Sequence, residues 1–279
     1  DTAALKAFKN TYMGEVWEEE GDSIEGISLI SRLEDYSPAT LRADSRIALI
    51  TAGVDVQKDR LEASIVAWGE GEEGWLLDHL ILPGDTAAEA VWSDLDFALS
   101  DAGVEYAAID AGYNATQVHA FVGPRTWTRA VKGVAGTGRP LIEDEKIRRQ
   151  RLRRARKRGV QVEPLGVDQG KALIYARLKL HQPGPGYLHF PRNPAFDDEY
   201  FAQLAAEKLV TRFRGTRPLL EWIQTRNRNE ALDCLNYALA AMRLSNRDLT
   251  IPIAPRPPPD TPSPADIPDD VLFSPVRIF

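Results

Sequence analysis

The sequence predicts an α/β fold with a mixed β-sheet flanked by helices. Two observations lead to this prediction: three apolar segments joined by short turns in residues 46–84, and alternating helix-like and strand-like segments in residues 86–133. Tight turns join antiparallel strands, whereas parallel strands need a longer crossover, usually a helix. A run of hairpins followed by this alternation therefore favours one sheet that contains both strand orientations.

The composition is that of an ordinary globular protein and excludes several function classes. The 279 residues carry a formal net charge of −7 and a single cysteine, Cys234, so an internal disulfide is impossible. No apolar stretch approaches the roughly 18 residues of a membrane helix. With one cysteine, a zinc site is not credible, because the four histidines are dispersed at His79, His119, His181 and His189.

The predicted sheet begins with a buried strand. "RIALITAGVDV" is a nearly continuous apolar run, which is typical of a strand buried on both faces. "LEASIVAWGE" alternates and pairs back across the turn "QKDR", and "GWLLDHLILPG" is a third strand. "VEYAAIDAG" and "TWTRAVKG" are predicted as strands four and five, separated by the helix "NATQVHAFVG" and preceded by a helix that ends at Gly103.

The second half is predicted to alternate in the same way. "VQVEPLGV" is a strand, and "DQGKALIYARLKL" is a helix with Asp168 as its cap. "DDEYFAQLAAEK" is a further helix, and "LVTRFRG" with "PLLEWIQT" forms a hairpin. "NEALDCLNYALAAMRLS" is an amphipathic helix with Asn229 as its cap.

Composition shifts divide the chain into three parts. Residues 1–45 are weakly periodic, and residues 46–248 form the body. The tail is predicted to begin at residue 249. It is expected to be irregular, because nine of the 19 prolines lie between Ile251 and the last residue. A flexible basic loop is predicted at about 136–160.

The basic segment carries a dense run of positive charge and is predicted to bind a polyanion. Nine of the thirteen residues 146–158 are Lys or Arg, and such a run repels itself and is poorly ordered without a polyanion. Phosphate contacts of this kind supply affinity without sequence information. The alternative is a basic loop with another use. The predicted DNA-binding residues are Arg148, Arg149, Arg151, Arg153, Arg154, Arg156, Lys157 and Arg158.

Three aspartates are candidate metal ligands. Asp55 lies in the first strand, Asp110 at the end of the fourth, and Asp233 in the last helix. Ligands gather at the carboxyl ends of parallel strands, so adjacent first and fourth strands would bring Asp55 and Asp110 together. Converging carboxylates without a basic partner repel each other, and a bound Mg²⁺ or Mn²⁺ would resolve this. The alternatives are a turn residue for Asp110 and a solvated helix position for Asp233.

Two further residues are possible outer-shell groups. Glu230 lies three residues before Asp233, on the same helix face, but it could equally be an ordinary acidic residue in the first turn of the helix. Lys58, in the predicted turn after Asp55, could neutralise a phosphate or simply be solvated.

The order of the three acids, in strand one, strand four and a late helix, is the pattern of RNase H-like nucleases. The amino-acid sequence resembles the GpA family of phage terminase large subunits over residues 5–244. The segments that carry the resemblance are "LKAFKNTYMGEVWEEE", "TAGVDVQKDRLEASIVAWGEGEEGW", "AIDAGYNATQV", "KGVAGTGRP", "GPGYLHFP", "LAAEKLV" and "RNEALDCLNYALAAMRL".

The resemblance implies an RNase H-like endonuclease that cuts double-stranded DNA during packaging with two Mg²⁺ or Mn²⁺ ions. It implies that Asp55, Asp110 and Asp233 are the metal-binding residues and that residues 1–45 are a linker remnant from an N-terminal ATPase domain. The implied partners are that ATPase domain, the small terminase subunit and the portal protein, and the implied location is the host cytoplasm.

Other functions stay open at this point. A Walker A loop needs G-x-x-x-x-G-K-[ST], and neither "GVAGTGRP" nor "GVDQGKA" has it, so no ATP hydrolysis by this chain is expected. A transposase or resolvase would use similar acids on the same fold. A DNA-binding motor domain without catalysis is the remaining alternative.

Overall fold

A computed structural model describes residues 18–20, 29–42, 44–155, 161–214 and 217–249. The strands are β1 Glu18–Glu20, β2 Leu33–Glu34, β3 Leu49–Val56, β4 Arg60–Trp68, β5 Gly74–Pro83, β6 Tyr106–Asp110, β7 Thr128–Val134, β8 Val162–Gly166, β9 Leu188–Pro191, β10 Glu207–Arg214 and β11 Arg217–Gln224. The helices are α1 Pro38–Arg42, α2 Glu89–Asp101, α3 Ala115–Val122, α4 Glu145–Ala155, α5 Val167–Leu178, α6 Asp198–Leu204 and α7 Glu230–Leu244. In the described part of the chain, no helix is both long and apolar enough to cross a membrane.

Eight strands form the main sheet in the order β2-β9-β5-β4-β3-β6-β7-β8. Strands β3, β4 and β5 pair antiparallel, and β3, β6, β7 and β8 pair parallel. Strands β3 to β7 are the five strands predicted first in the body. They lie at the centre of the sheet in the order β5-β4-β3-β6-β7. The predicted RNase H-like mixed sheet flanked by helices is therefore confirmed.

Side chains alternate between the two faces of this sheet and fill two separate cores. Ala52, Val54 and Ile109 point to the face covered by α2 and α3. Ala108 and Val131 point to the other face, which is covered by α5, α6 and α7. Because alternation in a strand has a period of two, Asp110, two residues after Ala108, lies on the α7 face.

Helix α7 crosses strand β3 at Gly53. A Cβ atom at residue 53 would lie 2.0 Å from the carbonyl oxygen of Cys234 and 2.2 Å from the backbone nitrogen of Ala238. The hydroxyl of Thr51, on the same face, donates to the carbonyl of Ala238 at 3.0 Å. The missing side chain of Gly53 thus sets the distance between helix and sheet, and with it the position of the first turn of α7 over Asp55.

A smaller antiparallel sheet has the order β1-β10-β11. The pairing runs from Glu207 with Gln224 to Arg214 with Arg217, which confirms the predicted hairpin. Strand β10 starts at Glu207, directly beside α7, and that position matters for the site described below.

The structure corrects the predicted start of the body at residue 46. Leu29 and Leu41 are 2% and 4% exposed and belong to the two cores. Strand β2 pairs parallel with β9, a four-residue strand that was not predicted. Residues 29–42 are therefore part of the packed domain, while most of residues 1–28 and the predicted tail after residue 249 lie outside the described residues.

Of the two predicted helix caps, Asp168 is wrong and Asn229 is right in position only. Helix α5 begins at Val167, and the carboxylate of Asp168 accepts a hydrogen bond from the backbone of Gly136 at 2.9 Å. Asn229 does occupy the N-cap position of α7, but its side chain makes no capping hydrogen bond. Its amide instead donates to Glu207 and Asp233, at 2.9 and 3.1 Å.

Candidate functional site

The site lies at the carboxyl ends of β3 and β6, beneath the first turn of α7. The parallel pairing of Val54 with Ile109 places the next residues, Asp55 and Asp110, side by side. Asp55 also lies two residues after Gly53, on the face that α7 crosses. Asp233 is the fourth residue of α7 and overhangs this edge. The sheet order and the helix crossing therefore bring all three aspartates to the same edge of the sheet.

Asp55 is the most perturbed of the three carboxyls. Its residue is 6% exposed, and burial raises its pKa to about 7. The negative charges of Asp233, Asp110 and Glu230 raise the pKa further, against a 2.5 Å hydrogen bond from the amide of Gln57 that lowers it. A buried carboxylate among like charges is a strong site for a cation, because a cation relieves both penalties.

Asp110 is held in place by backbone and side-chain donors. Burial raises its pKa, while hydrogen bonds from the backbone of Gly112 and the hydroxyl of Tyr237 and the positive charge of Lys132 act in the opposite direction. Tyr237 is one helical turn beyond Asp233 on α7. The same helix therefore supplies one carboxylate to the site and orients another.

A basic partner, which the sequence did not reveal, faces Asp233. Burial raises the pKa of Asp233 to about 6, although the ammonium of Lys171 lies 3.6 Å from its carboxylate. Lys171 also binds buried Glu207 at 2.5 Å. Burial alone would lower the pKa of Lys171, but these two carboxylates outweigh it and raise that pKa. The expectation that the acids lack a basic partner is therefore wrong for Asp233.

The acids extend into a row across the sheet. Glu62 pairs with Asp55 on the β4 side, and Glu163 lies level with Asp110 across the intervening Val131 of β7. Both glutamates are buried, at 0% and 4% exposure. Neither glutamate was predicted as part of the site. Their period-two placement in β4 and β8 was the only available signal, and it does not distinguish a buried acid from a solvated one.

Each outer acid of the row is paired with two arginines. Glu62 binds Arg60 and Arg228, at 2.5 and 2.7 Å. Burial alone would raise the pKa of Glu62, but hydrogen bonds from His79 and Arg60 outweigh it and hold that pKa below its ordinary value. Glu163 is paired in the same way on the opposite flank. The two central acids, Asp55 and Asp110, have no arginine partner among the described residues, so the unneutralised charge lies in the middle of the row.

The structure also places the two predicted outer-shell residues. Glu230 is the first residue of α7 and binds Arg60 at 2.6 Å and Arg228 at 3.2 Å. Its charge contributes to the raised pKa of Asp55, so it lies near the site although arginines neutralise it. Lys58 is exposed in the turn between β3 and β4.

The predicted flexible basic loop is largely helical. Helix α4 spans Glu145–Ala155, so the prediction of a loop is wrong for these residues. Arg148 is 9% exposed and bonds Glu163, and Arg151 bonds both Glu143 and Glu163. These two arginines anchor α4 to the sheet, because one face of a helix must pack inward.

The opposite face of α4 remains available to a polyanion. Arg149 is 68% exposed, with a surface pair to Glu145, and Arg153 is exposed. Arg154 lies in the helix, while Arg156, Lys157 and Arg158 lie outside the described residues. The eight predicted DNA contacts thus divide into two anchoring residues, two exposed ones and four whose side chains are not described.

The donor set suits a hard divalent ion, since carboxylate oxygens are the ligands that Mg²⁺ and Mn²⁺ prefer. Among the described residues, however, no three His, Cys, Asp or Glu side chains lie close enough together to hold one ion. Mg²⁺ usually takes only one or two protein carboxylates and completes its shell with water and substrate phosphates. The donor set therefore suits an ion that takes no more than two of these carboxylates and completes its shell with other oxygen ligands.

Fold and site together define the class as an RNase H-like α/β domain with an acidic centre at the carboxyl ends of its strands. Residues 1–251 match the family model described as the terminase large subunit gpA endonuclease domain, and the chain belongs to this family.

Two curated relatives agree with this assignment. The chain is 34% identical to the terminase large subunit of Escherichia phage lambda and 33% identical to that of Enterobacteria phage P21. Each match covers 88% of this chain and 40% of the relative, so the chain spans less than half the length of either protein. A mutant nuclease domain of the large terminase subunit gp2 of bacterial virus Sf6, with manganese, is similar at 14% identity with a TM-score of 0.47. That match covers 77% of this chain and 97% of the other.

Proposed function

We propose that this chain is a divalent-metal-dependent endonuclease domain that hydrolyses double-stranded DNA during viral genome packaging. The observation that carries the proposal is the position of Asp55, Asp110 and Asp233 at one edge of the sheet. Burial raises the pKa of all three, and neighbouring acids raise it further for Asp55 and Asp233. Perturbed carboxyls of this kind cluster at functional sites. Membership of the terminase family supports the choice of DNA as the substrate.

In this proposal, Asp55, Asp110 and Asp233 would hold two Mg²⁺ or Mn²⁺ ions, with Asp55 contributing to both and each of the other two aspartates to one. When bound, the ions supply a water of lowered pKa and stabilise the leaving oxygen. The protein's own contribution is orientation. Tyr237 holds the carboxylate of Asp110, and Lys171 with Asn229 holds that of Asp233. Lys171 also lowers the pKa of Asp233, which favours the ionised form, and the ionised form is the one that can bind an ion.

The exposed face of α4 is the proposed contact for the DNA backbone. Replacing Arg149 and Arg153 by alanine should weaken binding of a duplex and reduce the log–log salt slope by about 0.9 for each lost phosphate contact. A binding titration at several salt concentrations measures both effects. The matched control is Arg192→Ala, which removes an exposed arginine next to β9, toward the opposite edge of the sheet.

A second control separates DNA contact from folding. Arg148→Ala with Arg151→Ala should lower the melting temperature, because it leaves buried Glu163 unpaired, and that loss is costly. An unchanged salt slope in the Arg149 and Arg153 variant would remove α4 from the DNA interface.

The remaining partners follow from the family alone. We propose an N-terminal ATPase domain in the full-length protein, a small terminase subunit and a portal protein as partners, and the host cytoplasm as the location. A transposase-like or resolvase-like nuclease would use the same acids, but the family match disfavours it. A DNA-binding domain without catalysis is the second candidate, because the three acids are not gathered around one point in this structure.

The test is nicking of supercoiled plasmid in parallel reactions with Mn²⁺, Mg²⁺ and EDTA. Conversion to nicked and linear forms with either ion, and none in EDTA, is the expected result. A protein that binds the plasmid but leaves it intact under all three conditions would favour the non-catalytic domain.

A further inference from the structure

Two arginines and two glutamates form a compact cluster between the start of β4 and the start of α7. We call Arg60, Glu62, Arg228 and Glu230 the arginine–glutamate cluster. Arg60 binds Glu62 at 2.5 Å and Glu230 at 2.6 Å, and Arg228 binds the same two glutamates at 2.7 and 3.2 Å. Two carboxylates thus hold two guanidinium groups from residues far apart in sequence.

The two arginines differ in the donors that remain available. The Nε, Nη1 and Nη2 groups of Arg60 donate to Glu62, Asp59 and Glu230, and its side chain is 22% exposed. Arg228 donates from Nε and Nη2 only, and its Nη1 group donates no hydrogen bond to the described residues. Its side chain is 40% exposed. The Nε and Nη2 groups of this guanidinium are therefore fixed by the glutamates, and its Nη1 group can donate to a ligand.

The position of Arg228 relates that open end to the acidic centre. Arg228 immediately precedes the N-cap residue of α7, at the sheet edge where Asp55 and Asp110 lie. It binds Glu62, which is the cross-strand neighbour of Asp55. Cross-strand neighbours have Cβ atoms roughly 5 Å apart, so the group that Arg228 holds lies one strand away from Asp55.

We propose that Arg228 binds a backbone phosphate of the DNA strand lying over Asp55, adjacent to the phosphate that is cut. This inference rests on the proposed nuclease function and adds a substrate-binding residue to it. A guanidinium fixed by carboxylates loses little rotamer freedom on binding, and its planar donors match phosphate oxygens. The competing role is purely structural, an ion pair that ties the start of α7 to β4.

The experiment measures duplex binding against salt in EDTA, so that binding is separated from cleavage, together with kcat and KM in Mn²⁺. Arg228→Ala should weaken binding roughly 10-fold and reduce the salt slope by about 0.9, because one phosphate contact is lost. Arg228→Lys should keep most of the slope but bind less tightly than wild type, since a lysine lacks the planar fork.

Arg226→Ala is the matched control. Arg226 lies two residues earlier, is also 40% exposed and pairs with Glu199 on the surface. Its replacement should leave the slope and the affinity unchanged. Arg228→Gln provides a second uncharged variant should the alanine protein fail to fold.

The outcomes distinguish the two levels of the proposal. If wild type binds duplex DNA and the uncharged Arg228 variants bind it with the same salt slope and affinity, this inference is overturned. The proposed nuclease function is not affected by that result. A lowered melting temperature without a change of slope would assign Arg228 the structural role only. Wild type that neither binds nor cuts duplex DNA would contradict the proposed function and this inference together.

Discussion

Asp55→Asn is expected to lower the rate of DNA cleavage by more than about 100-fold, because loss of outer-shell partners alone typically costs 10–100-fold at a metal site. Asp55 is the residue proposed to be shared between both ions, so its neutral amide would weaken both positions. A plasmid-nicking time course with Mn²⁺ measures the effect. Asp59→Asn is the control, since Asp59 is 75% exposed in the adjacent turn and lies outside the proposed site.

The same variant should be more stable than wild type without metal. The folded-state pKa of Asp55, about 7, lies above its ordinary value of 3.8, so the folded protein binds more protons between these values. The stability that protonated Asp55 contributes is complete below about pH 4 and is lost as the pH rises through 7. The advantage of the asparagine variant should grow over that interval, to a limit of roughly 4 kcal/mol.

Urea denaturation in EDTA at several pH values between 4 and 8 follows that difference. The amide of Gln57 can still donate to the oxygen of an asparagine, so the substitution preserves the local hydrogen bond. A difference in stability that does not change with pH would show that Asp55 is not a buried carboxyl with a raised pKa.

Asp233→Asn should reduce the stabilisation that Mn²⁺ gives to the folded protein. A ligand that binds only the folded state contributes about 2.7 kcal/mol at 100 times its Kd, and loss of a ligand raises that Kd. Thermal melts of wild type and variant, with and without Mn²⁺, give the two shifts. Without metal the variant should be equally or slightly more stable, because burial raises the pKa of Asp233 to about 6 despite Lys171.

Asp198→Asn supplies the comparison for Asp233. Asp198 is an exposed aspartate in the first turn of α6, so the substitution is chemically identical and lies outside the proposed site. It should leave the manganese-induced shift unchanged. An Asp233 variant that cuts at the wild-type rate and shows the full shift would exclude Asp233 as a ligand.

The central strands themselves were predictable because the local signals were strong. The eight residues of β3 are all buried, which explains the uninterrupted apolar run. The neighbouring positions of Asp55 and Asp110 depended on the pairing of β3 with β6, which the sequence left as a condition and the structure supplies. By contrast, β9 has only four residues, with Pro185 and Gly186 shortly before it and a turn after it. Its pairing with β5 and β2 arises from tertiary packing alone.

The charged partners of the site were not predictable. Lys171 is an ordinary residue of an amphipathic helix in sequence, and only the packing of α5 and β10 against α7 brings it to Asp233 and Glu207. The basic segment was predicted as a loop because its like charges repel. In the structure, Glu143 and Glu163 neutralise Arg148 and Arg151, which allows helix α4 to form. Long-range ion pairs of this kind leave no periodic signal.

The central claim is that Asp55, Asp110 and Asp233 together hold the divalent ions of a nuclease. The most direct measurement is an anomalous difference map from crystals of the protein grown with Mn²⁺ and a short DNA duplex. We expect two manganese peaks roughly 4 Å apart, both within bonding distance of Asp55, with Asp110 and Asp233 each bound to one of them. A map that shows manganese bound at other sites but no peak between these three carboxylates would contradict the proposed metal site.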